Sequence, residues 1–128
     1  MTYLLDTHTL LWFLWTPAML PARTRELIEN STSDLAVSLV TPWEIAIKTA
    51  TGKLKADEIL DDFDSIMERG RFHLLVPTAA QVIRSSRLPW HHRDPFDRLL
   101  AAQTMELGWT LLSKDAVFDT YGAKRIWA

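Results

Sequence analysis

The chain contains no cysteine. Disulfide bonds, thiolate zinc sites and thiol nucleophiles are therefore excluded, and this absence fits a reducing compartment, so we expect a cytoplasmic protein. Glycine is scarce as well. Its four copies are scattered singly, so no glycine-rich phosphate-binding loop is present. The apolar run over residues 10–15 is far shorter than the roughly 20 residues that cross a bilayer, and it is predicted to be a core helix without a membrane partner.

Positive charge is not in excess either. Lysine and arginine number 14 against 16 acids, and the net charge of −2 argues against nucleic-acid binding through a broad basic surface. Bound divalent cations would change this balance, because each adds two positive charges and attracts phosphate directly. A composition of 48% hydrophobic and 23% charged residues is typical of a folded protein, and the length predicts one domain over residues 1–128.

Short apolar segments alternate with amphipathic ones, which predicts an α/β fold. Strands are predicted over residues 2–5, 35–40, 72–76, 109–112 and 125–127. Helices are predicted over residues 7–15, 21–29, 42–51, 57–69, 78–86 and 95–107, with a helical turn over 116–119. Strands separated by helices form parallel sheets with helices on both faces. Ligands bind such sheets beyond the carboxyl ends of the strands.

Four acids fall where a predicted strand ends or a predicted helix begins: Asp6, Glu44, Asp97 and Asp115. If the fold brings these carboxylates together, they repel one another unless cations neutralise them. Hard oxygen ligands of this kind favour Mg²⁺ or Mn²⁺. The pattern therefore predicts a metal-binding acidic site, an arrangement suited to phosphate chemistry.

Each acid also has a purely structural explanation. Thr41 and Glu44 have the spacing of a capping box, and Glu44 can pair with Lys48 one turn later. Asp94 and Asp97 have the same spacing, with Asp94 as the predicted N-cap. Helix capping therefore explains these acids without any catalytic role.

Asp6 is harder to explain in this way, because a carboxylate at the end of an apolar strand is at risk of burial and needs compensation. Asp115 follows Ser113 and Lys114 in a segment that also fits a simple turn. Asp119 is predicted to lie on the surface.

Several other residues are secondary candidates. Arg98 either faces a phosphate or pairs with acids. The segment over residues 91–93, His-His-Arg, either offers protons and phosphate contacts or is a polar loop. His8 is predicted to pack or hydrogen-bond. Most tryptophans should lie in the core, although Trp43 and Trp90 could line a groove for bases or a peptide.

The motifs together are more specific than any one of them. In their order along nearly the whole chain, the sequence resembles the PIN-domain ribonucleases, and within them the VapC-type toxins of bacterial toxin-antitoxin pairs. The segments that carry the resemblance are Leu4-Leu5-Asp6-Thr7-His8 with Leu11-Trp12, Trp43-Glu44-Ile45-Ala46-Ile47-Lys48, Gly52-Lys53-Leu54, Leu88-Pro89, the run from Arg93 to Gln103, and Ser113-Lys114-Asp115 with Phe118 and Tyr121.

The resemblance implies a three-layer α/β/α sandwich around a parallel sheet of four or five strands. It also implies that four acids hold Mg²⁺ or Mn²⁺ and catalyse RNA cleavage: Asp6, Glu44, Asp97 and Asp115. Asp6 and Asp97 are the first choices as direct ligands. Asp94 corresponds to an additional acid of the VapC-type toxins. Ser113 stands where these proteins usually carry threonine. The resemblance further implies a homodimer and a cognate antitoxin whose tail enters the active-site groove.

Two other functions fit the same residues. The protein could be a noncatalytic module that binds RNA or a peptide, in which the acids only cap helices. It could also be a metal-dependent phosphatase, since similar acids at strand ends serve that chemistry. Metal binding separates an enzyme from the module, and substrate size separates a ribonuclease from a phosphatase.

Overall fold

A five-stranded sheet lies at the centre of the fold in the computed structural model, which describes residues 2–30 and 32–128. Its strands are β1 (Thr2–Leu5), β2 (Asp34–Ser38), β3 (Phe72–Leu75), β4 (Thr110–Leu112) and β5 (Lys124–Ile126). Their spatial order is β3-β2-β1-β4-β5, and all four pairings are parallel. The predicted parallel sheet is therefore confirmed.

Seven α-helices among the described residues connect and cover these strands: α1 (Thr7–Trp15), α2 (Ala22–Glu29), α3 (Val40–Ala50), α4 (Asp57–Asp61), α5 (Phe63–Arg69), α6 (Ala79–Arg87) and α7 (Pro95–Leu107). Two 3₁₀ turns cover Pro17–Met19, which was not predicted, and Ala116–Tyr121. No helix in the described part of the chain is sufficiently long and apolar to cross a membrane.

Each face of the sheet has its own hydrophobic core. Adjacent residues of a strand point to opposite faces, so Leu5 and Leu112 pack with α1, α2 and α5, whereas Leu4 and Leu111 pack with α7. All four leucines are fully buried. This double burial explains why the central strands are continuously apolar, and it produces the α/β/α layering.

The start of α3 differs from the prediction. Residues 35–40 were predicted as a strand and Thr41 as a helix cap, but β2 ends at Ser38 and Val40 already begins the helix. The hydroxyl of Ser38 accepts a hydrogen bond from the Val40 amide at 3.1 Å, which turns the chain early. The predicted Thr41–Glu44 capping box is therefore wrong.

The segment over residues 57–69 was predicted as one helix but forms two, α4 and α5, separated at Asp62. Aspartate is a poor residue for helix interiors because its short carboxylate competes for nearby backbone groups. Three aspartates occupy positions 61, 62 and 64, and the Asp62 carboxylate pairs with Arg69.

The helices α1 and α7 begin and end as predicted. Asp94 caps α7, since its carboxylate accepts hydrogen bonds from the amides of Phe96 at 2.8 Å and Asp97 at 3.3 Å. Gly108 ends the helix in the left-handed conformation, with φ of 67°. The other predicted boundaries of β3, β4, β5, α2 and α6 differ from the structure by one residue.

Candidate functional site

The candidate site lies at the carboxyl end of the sheet, where the strand order reverses at β1. β1 has β2 on one side and β4 on the other, and a crevice opens at such a point beyond the strand ends. Asp6 directly follows β1, and Ser113 directly follows β4. The topology alone therefore brings residues from both ends of the chain together.

Asp6 is 6% exposed and is held on both carboxylate oxygens. Its Oδ1 accepts from the Thr9 amide at 2.8 Å as the N-cap of α1, and its Oδ2 accepts from the Ser113 hydroxyl at 2.5 Å. Burial raises the pKa of Asp6 above its ordinary value, although the hydrogen bonds from Ser113 and Thr9 oppose this shift. Two hydrogen bonds therefore fix the orientation of the Asp6 carboxylate, but neither donor carries a positive charge that would neutralise it.

Asp115 reaches the same place from the loop after β4. Its backbone amide donates to the Ser113 hydroxyl at 3.0 Å, so Ser113 connects it to Asp6. The Asp115 side chain is exposed and also caps the following 3₁₀ turn through the Val117 amide. A cleft of about 420 Å³ opens here, lined by Asp6, His8, Trp12, Lys114, Asp115 and Ala116.

Glu44 reaches the site from α3 and is 3% exposed. Its Oε1 accepts from the Thr7 hydroxyl at 2.7 Å, and its Oε2 accepts from Lys48 Nζ at 2.5 Å. The predicted pair with Lys48 is therefore confirmed. Since Thr7 immediately follows Asp6, its hydroxyl joins the α3 part of the site to the end of β1.

Asp97 lies in the first turn of α7, with Asp94 before it. His92 Nε2 and Asp97 Oδ2 are 2.7 Å apart, and His92, Asp94 and Asp97 offer ligand atoms that all lie within 4.8 Å of one another. Burial, followed by the charges of Asp94 and Glu44, raises the pKa of Asp97 from 3.8 to about 6, although the hydrogen bond to His92 opposes this. These carboxylates therefore interact electrostatically.

Lys48 lies within the field of the same acids. Partial burial lowers the pKa of Lys48, but the hydrogen bond and charge of Glu44, together with Asp94 and Asp97, raise it above its ordinary value overall. One ammonium group does not balance several carboxylates, and two of these, Asp6 and Asp97, have raised pKa values. Oxygen donors with uncompensated negative charge fit a hard divalent cation.

Comparisons with known proteins place the chain in a family. The sequence profile of the PIN domain matches residues 3–124. This chain belongs to the PIN-domain family. Ribonuclease VapC22 of Mycobacterium tuberculosis (strain ATCC 25618 / H37Rv) is 31% identical to this PIN domain over 117 residues, which cover 89% of this chain and 87% of that protein.

Solved structures show the same fold. The PIN domain resembles a chain of VapBC2 from Rickettsia felis bound to a promoter DNA fragment, with a TM-score of 0.73, 16% identity and complete coverage of both chains. It also resembles a chain of DNA-bound VapBC from Salmonella typhimurium, with a TM-score of 0.72, 19% identity and coverage of 98% and 96%. The predicted PIN-like sandwich is therefore confirmed.

Arg98 has a different environment from the one predicted. It is 2% exposed, and its guanidinium donates to the carbonyls of Leu88, Pro89 and His92 at 2.8 to 3.1 Å. Its described hydrogen-bond partners include no carboxylate, so the predicted pairing with acids is wrong. In this PIN domain Arg98 anchors the loop that precedes α7.

Other candidates occupy the surroundings. His8 is exposed and packs its ring at a tilt against Trp12, as predicted, while Asp119 is exposed and pairs with Arg125. Trp43 and Trp90 are 55% and 67% exposed and Trp15 is exposed as well, whereas Trp12, Trp109 and Trp127 are half-buried against the cores. The expectation that most tryptophans lie in the core is therefore wrong.

Sequence reasoning missed Thr7 as the connection between Asp6 and Glu44. Its only signal was adjacency to Asp6, which is too common a feature to indicate a hydrogen bond to a residue 37 positions away.

Proposed function

We propose that this protein is a metal-dependent ribonuclease that hydrolyses RNA phosphodiester bonds as the toxin of a toxin-antitoxin pair. The observation that carries the proposal is a PIN-domain sheet with two linked pairs of acids: Ser113 connects Asp6 and Asp115 at the ends of β1 and β4, and Glu44 and Asp97 interact electrostatically. The ribonuclease name of its relative in M. tuberculosis supports the same activity.

The carboxylates would hold the cation, with Asp6 and Asp97 as direct ligands and with Glu44 and Asp115 completing or orienting the set. Mg²⁺ and Mn²⁺ fit this oxygen-only donor set. A cation bound there would attract phosphate oxygens and would lower the pKa of a bound water.

The chain's own residues prepare this site. Ser113 and the Thr9 amide orient the Asp6 carboxylate, and Thr7 fixes one oxygen of Glu44. Lys48 is one-third exposed on its side chain, so its ammonium can contact both Glu44 and an incoming phosphate. Preorganised charges of this type stabilise the negative charge that develops during phosphodiester hydrolysis.

The direct test compares substrates. The purified protein with Mn²⁺ should cleave a mixed RNA pool, should stop when EDTA is added, and should leave p-nitrophenyl phosphate intact. Hydrolysis of the small phosphoester alone would identify a phosphatase. Metal-independent RNA binding without any cleavage would identify a noncatalytic module.

We further propose a cognate antitoxin as the protein partner and a homodimer as the assembly. The toxin-antitoxin complexes among the structural neighbours support the first. An exposed apolar groove supports a protein contact, since such surface is seldom left open to solvent. Leu39, Trp43, Val76 and Val82 line this groove.

Replacing Ser113 by alanine is expected to lower RNA cleavage about 10- to 100-fold, the effect typical of removing a group that orients a metal ligand. The substitution removes the hydroxyl that contacts both Asp6 Oδ2 and the Asp115 amide. Ser113→Thr keeps a hydroxyl and should retain nearly full activity. Equal cleavage rates for the alanine variant and the wild type would contradict this role.

Mn²⁺ affinity is expected to fall about tenfold from pH 7 to pH 5, because the Asp97 carboxyl, with its pKa of about 6, must release its proton to bind the ion. The raised pKa also means that the folded metal-free protein binds more protons than the unfolded chain between pH 3.8 and about 6. The stability of the metal-free protein that depends on Asp97 therefore decreases as the pH rises through this window.

Thermal unfolding with and without Mn²⁺ at several pH values measures both effects. The melting temperature should rise more on Mn²⁺ addition at pH 7 than at pH 5. A stabilisation by Mn²⁺ that is independent of pH would show that Asp97 does not bind the ion in competition with protons.

A further inference from the structure

Trp90 combines high exposure with a fixed orientation. Its side chain is 67% exposed, although tryptophan is usually well buried. The guanidinium carbon of Arg98 lies 3.7 Å from the centroid of its ring, which is the geometry of a cation–π contact. One face of the indole is therefore covered, while much of the ring stays open to solvent.

The residue beneath the ring cannot easily move. Arg98 is 2% exposed, and its guanidinium is held by the carbonyls of Leu88, Pro89 and His92 and by the Tyr121 hydroxyl. The indole is thus backed by a buried, permanently charged group rather than by a mobile surface side chain. This arrangement holds a flat aromatic surface ready for a ligand.

The same anchor connects the ring to the acids. Arg98 binds the carbonyl of His92, two residues after Trp90, and the His92 ring contacts Asp97 at 2.7 Å. Tyr121 also accepts a hydrogen bond from the His92 amide at 3.0 Å. The aromatic surface and the proposed metal ligand therefore belong to one hydrogen-bonded loop-helix unit.

We propose that Trp90 is a stacking platform for an unpaired base of the RNA substrate, on the same loop-helix unit as Asp97. This inference rests on the proposed ribonuclease function and specifies its substrate class. Bases of single-stranded RNA stack on exposed aromatic rings, whereas bases inside a duplex are already stacked on each other. Every base has a flat face, so the platform selects unpaired RNA and positions it without reading its sequence.

Binding of a short fluorescent oligoadenylate, followed by anisotropy in the Asp6→Asn background, tests the platform without cleavage. Trp90→Ala should weaken binding about tenfold or more, and Trp90→Phe should restore most of the affinity. Trp109→Phe is the matched control, because Trp109 precedes β4 at the amino end of the sheet, opposite the acids. Binding of a blunt RNA duplex should not change with Trp90→Ala.

The outcomes separate the platform from the function on which it rests. If the unsubstituted protein cleaves RNA but Trp90→Ala binds oligoadenylate as tightly as its parent, the platform is wrong and the ribonuclease stands. That result would leave Trp90 as a surface for a protein partner. If the unsubstituted protein neither binds nor cleaves RNA with Mn²⁺, both proposals are wrong. Failure of Trp90→Phe to restore binding would also overturn stacking.

Discussion

Replacing Asp6 by asparagine is expected to reduce RNA cleavage about a thousandfold while the protein stays folded. Asparagine removes the negative charge of the buried carboxylate, which is our first choice as a direct metal ligand. It keeps the oxygen that accepts the Thr9 amide, and asparagine caps helices about as well as aspartate. The substitution therefore separates the charge of Asp6 from its capping role, although the new amide nitrogen cannot accept the Ser113 hydroxyl hydrogen.

Thermal unfolding in EDTA supplies the control for this experiment. Because burial raises the pKa of Asp6, the charged form opposes folding, and the neutral amide should leave the melting temperature unchanged or raise it. Asp6→Ala should instead lose the cap and cost about 1 kcal/mol. A folded Asp6→Asn variant that cleaves RNA at the wild-type rate would refute the assignment of Asp6.

Asp97→Asn is expected to weaken Mn²⁺ binding about a hundredfold, since it removes a proposed ligand whose charge is poorly compensated in the metal-free protein. Titration calorimetry and tryptophan fluorescence both measure this without knowledge of the RNA target. The matched control is Asp62→Asn, which makes the same charge change at an exposed acid paired with Arg69. Control and wild type should bind Mn²⁺ equally.

Two results would favour helix capping as the only role of these acids. One is the absence of saturable Mn²⁺ binding by the wild type, and the other is identical binding by Asp97→Asn. Asp94 already caps α7 through two backbone amides, so an exclusively structural role for this segment is a real alternative. Weakened binding by both Asp97→Asn and Asp62→Asn would instead indicate nonspecific attraction to surface charge.

Local signals in the sequence were sufficient for most of the fold. Asp94 before Pro95 and Gly108 after Leu107 define the ends of α7, because capping and left-handed turns depend on side chains within a few residues. The apolar strands likewise predicted a sheet buried on both faces. The acids could be placed at strand and helix ends by the same local reasoning.

Other features depended on contacts between distant parts of the chain. The early start of α3 depends on where β2 packs and on the Ser38 hydroxyl, and no local propensity indicated it. Arg98 looked like a phosphate or acid partner because it adjoins Asp97, but its guanidinium is buried among carbonyls of the preceding loop. Trp90 was a candidate groove residue from the sequence, but its contact with the buried Arg98 guanidinium was not predicted.

The sequence by itself therefore determined the strand-helix alternation, the caps of α7 and the types of residue available for a metal site. Only the tertiary structure decided how these residues meet: Ser113 contacts Asp6 across 107 positions, and Thr7 contacts Glu44 across 37. The physical reason is the sequence separation over which each interaction acts. Caps and turns form within a few residues, whereas burial, raised pKa values and shared hydrogen bonds exist only after parallel strands align their carboxyl ends.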